Sequence, residues 1–455
     1  MNSNRKNLLE MNMSKLFVKL AVPGIIGMLA VGLYNMVDAI FVGQFVGADG
    51  VGAITMGYNI VLLNQAILSL FATGAMSLLS RAMGEKDQKT IDKLFGNVLI
   101  SVAVLSVILT FFVYVFASPL LQFLGAKGEI LELGIKYIRI ISLGFLFSSV
   151  GPALNMLIRG EGKMKSAMTI ICVGTVLNIV LDPIFIKVLG FGIEGAAIAT
   201  VISQFVYLIG DFIYFKSGKS IINLTKKSFK ISFELMPKIL SVGVSGMLMQ
   251  IMSALQLAVL LKSFSHYGGN SSVIIMGAAY RIMMFAFIPM WGISQGLQPV
   301  LGANYGAKKF DRVKKAYGSF TKIASIMASI VWLCFMLFPK TILSWFITDK
   351  AMVLSGITNF RIFLGVFLLY GFFVTTITLF QALGRGGKAA FMVMGRQIIF
   401  FIPTALILPI FIKELGVWLA LPLADIVTIT IAIIMVIGEF KTLKTLNTNN
   451  VNLMA

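Results

Sequence analysis

Four residues in the first half of the chain have side-chain types and spacing suited to holding a small cation. Asp38, Asn178, Asp182 and Thr200 all lie inside apolar runs. Asn178 and Asp182 are four residues apart, which puts them on one face of a helix. Two carboxylates, an amide oxygen and a hydroxyl suit an oxygen cage for a hard cation such as Na+, or a carboxyl pair that shares a proton. Ionisable groups inside a bilayer are costly unless paired or hydrated, so each is a functional candidate by default. The bland alternative is that these groups satisfy one another, or the carbonyls freed by Pro23 and Pro183, and carry no ion.

The second half has a different inventory. Arg281 and Asp425 lie at matching depth and are expected to pair, while Arg361 is expected to snorkel outward and Arg396 inward. Gln250, Gln256, Gln295 and Gln298 sit in neighbouring apolar runs. Candidates for a substrate cleft are Asn35, Gln256, Arg281, Gln298 and Asp425. Abundant Met and Phe would suit flat organic cations wherever they line such a cleft.

No catalytic constellation accompanies them, and an enzyme is not expected. GISQG (292–296) fits a nucleophile elbow, but it lies inside an apolar run with no preceding strand. GFGIEG (190–195) fits a dinucleotide fingerprint but is a short turn between two apolar runs. No Walker A sequence occurs, which leaves an ion gradient rather than ATP as the energy source, and no cofactor. The lone histidine, His266, reads as a solvated loop residue, and Cys172 and Cys334 allow no disulfide framework or metal spacing.

These groups need a scaffold, and composition says what it is. Of the 455 residues 58% are apolar and only 12% charged, about half the charged share of a soluble domain. Runs long enough to cross a bilayer recur along the whole chain. Twelve spans are expected, at 16–43, 51–80, 94–117, 131–155, 166–188 and 192–215, then 237–262, 273–300, 317–339, 354–382, 389–412 and 416–440. Asp38 then lies about five residues, or roughly 8 Å, from the outer end of its span. Asp182 and Thr200 fall at similar depth. The first span is too long for a signal peptide and follows a polar leader, so it reads as a retained helix.

The net charge of +20 is a topology signal rather than a nucleic-acid surface, because the basic residues sit mainly in alternate loops. Arg81, Lys86 and Lys89, then Arg159, Lys163 and Lys165, then Lys308, Lys309 and Arg312 all fall on one side with both termini. That side is expected to be cytoplasmic.

The chain also repeats itself at a spacing of roughly 220 residues. RAMGEKDQKTIDKLFG around Gly84 answers ANYGAKKFDRVKKAYG around Gly306, and Gly24 and Gly27 answer Gly243 and Gly246. RGEGK (159–163) answers GRGGK (384–388). Six spans per repeat is an even number, so the halves are two parallel bundles about a central cleft. The expected organisation is an N-terminal tail (1–15), a six-helix lobe (16–215), a basic linker (216–236), a second lobe (237–440) and a C-terminal tail (441–455).

The stretches LYNMVDAIFVG, LNIVLDPIFI, GIEGAAIATVISQ, GLQPVLGANYGAKK and QALGRGGKAA resemble the multidrug and toxic compound extrusion (MATE) family, most closely its MepA-like bacterial branch. The likeness runs from about residue 15 to 440. It implies an all-α membrane protein of two pseudo-symmetric six-helix bundles, a monomer among lipids in a bacterial cell membrane. Its implied activity is secondary efflux of organic cations in exchange for inward Na+ or H+. Asp38, Asn178, Asp182 and Thr200 match the polar residues of the family's N-lobe cation site. The second half departs from the branch that places carboxylates in spans 7 and 10, since Gln256 stands in the former. A lipid-linked precursor flippase of the same superfamily is the alternative, though few arginines are available to meet a pyrophosphate.

Overall fold

The structure, a computed structural model, describes residues 2–452. Among these residues it is helical almost throughout and has no strand. The helices are α1 (Asn2–Glu10), α2 (Met13–Phe45), α3 (Ala48–Glu85), α4 (Gln88–Val115), α5 (Ala117–Phe123), α6 (Gly128–Leu143), α7 (Phe145–Gly160), α8 (Met164–Pro183) and α9 (Gly192–Lys216). After a segment with only short 3-10 turns come α10 (Met236–Tyr267), α11 (Gly269–Gly306), α12 (Phe310–Leu337), α13 (Pro339–Ser344), α14 (Lys350–Phe363), α15 (Tyr370–Ala382), α16 (Gly386–Met394) and α17 (Ile402–Asn452).

Among the described residues twelve membrane spans result. Ten continuous helical runs are long and apolar enough to cross a bilayer, and the pair α6–α7, bent by 47° at Gly144, makes another. The last run, Gly386–Thr448, is two spans, because Ile412 and Lys413 leave helical geometry. Lys413 turns into the left-handed region (φ 51°), where the apolar run gives way to Lys413 and Glu414. The outer faces are apolar: Val104, Val107, Ile108 and Phe111 form an exposed stripe down α4 at helical spacing, as a lipid-facing surface requires.

The halves meet chiefly through α2 and α3 against α10 and α11. Their closest approaches lie toward the ends that carry the basic loops. A Cβ placed on Gly74 would lie 1.9 Å from the Ile239 carbonyl oxygen, and one on Gly243 would lie 1.6 Å from that of Leu70. Only glycine lets two backbones come this close.

The polar N-terminus differs from a simple tail. Residues Asn2–Glu10 form a helix whose Leu8 and Leu9 are buried. Arg5 donates to the carbonyls of Met83 and Gly84 at the end of α3, while Asn304 and Arg312 donate to carbonyls at and just beyond the end of α1. A short helix thus bridges both halves on the side of the basic loops.

Candidate functional site

In the first lobe α2 packs on α8, and α8 on α9. This brings Asp38, from α2, to Asn178 and Asp182 on α8 and Thr200 on α9. Asn178 Nδ2 donates to Asp182 Oδ1 at 3.3 Å and reaches Thr200 Oγ at 3.5 Å. Asn178, Asp182 and Thr200 are buried, and Asp38 is near enough to act electrostatically on Asp182. Pro183 ends the α-helix directly after Asp182, and the chain continues as a π-helical turn, Ile184–Val188.

Three oxygens of this cluster are buried without a hydrogen-bond partner: Asp38 Oδ1, Asn178 Oδ1 and Asp182 Oδ2. Buried polar atoms are rarely left unpaired, so three unpartnered acceptors from Asp38, Asn178 and Asp182 mark a cluster suited to take up a cation or a proton. No group of three or more His, Cys, Asp or Glu able to hold a metal stands among the described residues. Two carboxylates with neutral oxygens fit a singly charged hard cation or a proton, not a soft transition metal.

Between the lobes lies a cavity of about 760 Å³. Asn178 and Thr200 line it, whereas Asp38 and Asp182 are not among the lining residues. Its walls are aromatic and thioether-rich, with Tyr34, Tyr58, Tyr280, Phe287, Trp291 and Phe373 among the lining residues. Among the described lining residues there is no carboxylate, and the charged ones are Arg159 and Arg396.

The other cleft candidates divide. Gln256 and Gln298 line the cavity. The side chain of Asn35 lies outside the described residues. Arg281 is exposed and absent from the wall, and Asp425 is buried one layer behind it. The expected pairing of Arg281 with Asp425 is therefore corrected. Asp425 is paired with Arg396, which also meets Tyr370 Oη at 2.9 Å, and Tyr370 donates to the same carboxylate. Arg396 does not snorkel. Its guanidinium lies 5.3 Å from the ring centroids of both Tyr370 and Phe373. Helix rotation, not depth, decided the partner. Arg361 caps the Met336 carbonyl at an exposed position.

Arg159, expected in a basic loop, instead lies near the end of α7, buried in a polar network and lining the cavity. Asn155 donates to Asp211 at 3.0 Å and accepts from Arg159 at 2.9 Å, and all three are buried. Asp211 is an acid within an apolar run, the same signal that singled out Asp38 and Asp182.

Comparison with known proteins follows the same lines. The MatE family model matches residues 23–184 and again 246–407, once in each half. The chain is 25% identical over 383 residues to the multidrug export protein MepA of Staphylococcus aureus (strain N315), covering 83% of each. It is 25% identical over 412 residues to the probable multidrug resistance protein YoeA of Bacillus subtilis (strain 168), covering 87% of each. Among solved structures, the outward-facing conformation of a multidrug resistance MATE family transporter of the MOP superfamily superposes with a TM-score of 0.91. Identity is 28%, over 98% of this chain and 99% of that one.

Proposed function

This chain belongs to the MatE family of multidrug efflux transporters, and we propose that it exports organic cations in exchange for inward Na+ or H+. The coupling ion is taken up by Asp38 and Asp182 with Asn178 and Thr200. The observation that carries this reading is that Asn178 and Thr200 belong to two surfaces at once. They line the cavity, and Asn178 is hydrogen-bonded to the Asp182 carboxylate.

Antiport follows from electrostatics. With the carboxylates ionised, their negative field reaches the cavity through one layer of neutral side chains, where low dielectric weakens it little. A cationic substrate is then favoured, held by aromatic faces and amide oxygens. When Na+ or a proton neutralises the pair, that attraction falls, and the substrate's affinity falls by the same coupling that the substrate exerts on the ion. Asn178 would offer its unpartnered Oδ1 to Na+ beside the two carboxylates. The two cavity arginines oppose a cation weakly, since Arg396 is neutralised by Asp425 and Arg159 lies near Asp211.

The basic loops and both termini are assigned to the cytoplasm of a bacterial cell, with residues 16–215 and 237–440 as the two moving lobes. The precursor flippase is not favoured. Arg281 and Arg361 are exposed, and Arg396 is already committed to Asp425. The test is efflux of a fluorescent organic cation from cells expressing the chain, under a Na+ jump and a pH jump applied separately. Efflux driven by one jump and lost in Asp38→Asn supports the reading. Undiminished efflux in Asp38→Asn rejects the site.

A further inference from the structure

On the second-lobe wall of the cavity, Gln256 from α10 faces Gln397 from the π-helical segment Gly395–Phe401 that follows α16. Gln397 Nε2 donates to Gln256 Oε1 at 2.7 Å. Both side chains line the cavity and both are nearly buried, at 2% and 5% exposure. Their remaining polar atoms, Gln256 Nε2 and Gln397 Oε1, have no partner. Turning both amides over exchanges the atoms but not the outcome: one NH2 donor and one carbonyl acceptor stay free.

The neighbouring polar groups are satisfied. Arg396 is held by Asp425 and Tyr370, and Gln381 donates to Ser245 at 3.1 Å. Elsewhere on the wall Gln295 Oε1 and Asn178 Oδ1 are unpartnered acceptors, but the glutamine pair offers an unfilled donor and an unfilled acceptor together. A few polar groups in an apolar pocket are what fix a ligand's orientation. The segment that carries Gln397 is also a π-helix, a form that recurs at functional sites.

We infer that Gln256 and Gln397 form a substrate subsite for a neutral N–H/C=O edge, the adjacent donor and acceptor that a lactam, cyclic urea or secondary amide presents. Terminal amide torsions are soft, so either end group can turn its free edge into the cavity without repacking the helices. This rests on the export reading and deepens it. Substrates are selected by charge near the first lobe and by paired hydrogen bonds at the second.

The test uses two fluorescent isosteres, an aminomethylquinolinone lactam and the matching aminomethylcoumarin lactone, which differ only in a ring N–H against a ring oxygen. Each is titrated against the full chain in lipid nanodiscs. The lactam is expected to bind about tenfold tighter, the lower end of what leaving a buried polar group without its partner costs in affinity. Gln256→Leu/Gln397→Leu is expected to bring the two within about twofold by lowering lactam affinity. Equal binding to the unsubstituted chain overturns the subsite, as does a preference that survives in the double variant. If the double variant fails to fold, Gln397→Met is scored against the same two outcomes.

Ethidium efflux from the same cells separates the two readings. Ethidium efflux with no lactam preference rejects the subsite alone. A lactam preference without efflux of any cation rejects the export reading and leaves the subsite standing.

Discussion

Gly84 and Gly306, which stand in register in the internal repeat, pack reciprocally across the junction of the two halves. A Cβ on Gly84 would lie 2.2 Å from the carbonyl oxygen of Ala303, three residues before Gly306. One on Gly306 would lie 2.1 Å from that of Arg81, three residues before Gly84. The same reciprocity relates Gly24, packed on Gly292, to Gly243, packed on Leu70. The sequence repeat is therefore also the symmetry of the interface on the side of the basic loops.

Gly84→Ala should consequently force the halves apart at that end, since the obstructing atoms are backbone. Overpacking of this kind costs roughly 1–3 kcal/mol. Dye efflux should fall several-fold at normal membrane abundance, with Gly306→Ala behaving alike. Unchanged efflux and unchanged thermal unfolding of the detergent-solubilised variant would show that the junction tolerates a methyl group.

Asp38→Asn and Asp182→Asn each remove one charge from the cation cluster and should reduce ion-driven efflux below about a tenth of the unsubstituted level, the loss of roughly one tenfold step in affinity or more. Thr200→Ala removes a neutral oxygen and should weaken coupling only a few-fold. Isothermal titration of Na+ and proton-release measurements on the purified variants check the order.

Arg396→Met strands Asp425 in a buried site, which costs about 3–5 kcal/mol when a paired charge loses its partner. Combining it with Asp425→Leu should recover part of that loss. A thermal-unfolding cycle over the two singles and the double decides it, and additive losses would mean that the pair is not a unit.

The loop between α7 and α8 provides a pH-dependent contact outside the membrane. Glu161 is fully buried and accepts hydrogen bonds from Tyr214 at 2.8 Å and from Ser220. Burial pushes its carboxyl up from 4.5 to about 7, against the lowering effect of those donors. The folded arrangement thus favours the protonated form. Its stabilisation is full below the ordinary carboxylate range and is lost as pH rises through about 7. Amide exchange in residues 217–222, corrected for intrinsic rates, should quicken across that interval and become flat in Glu161→Gln.

Much of this protein is written in local sequence. Spans of twenty or more apolar residues, the asymmetry of basic loops and the repeat around Gly84 and Gly306 lead directly to two six-helix bundles. A bilayer allows little else to a chain of this composition. Asn178 and Asp182 meet because residues four apart share a helix face, which needs no tertiary information.

Other features were decided only when the helices packed. Asp425 pairs with Arg396 rather than Arg281, because depth along a span is local but rotation about its axis is set by neighbouring helices. The polar composition of residues 2–10 hid a helix that docks, since its anchors are Leu8, Leu9 and carbonyls that distant side chains find. Gln256 and Gln397, 141 positions apart, come together by the same packing. What the sequence determined was every property carried by the length and polarity of a single segment. The tertiary structure alone decided which faces of those segments meet, because that choice minimises voids and unpaired polar groups over the whole bundle at once.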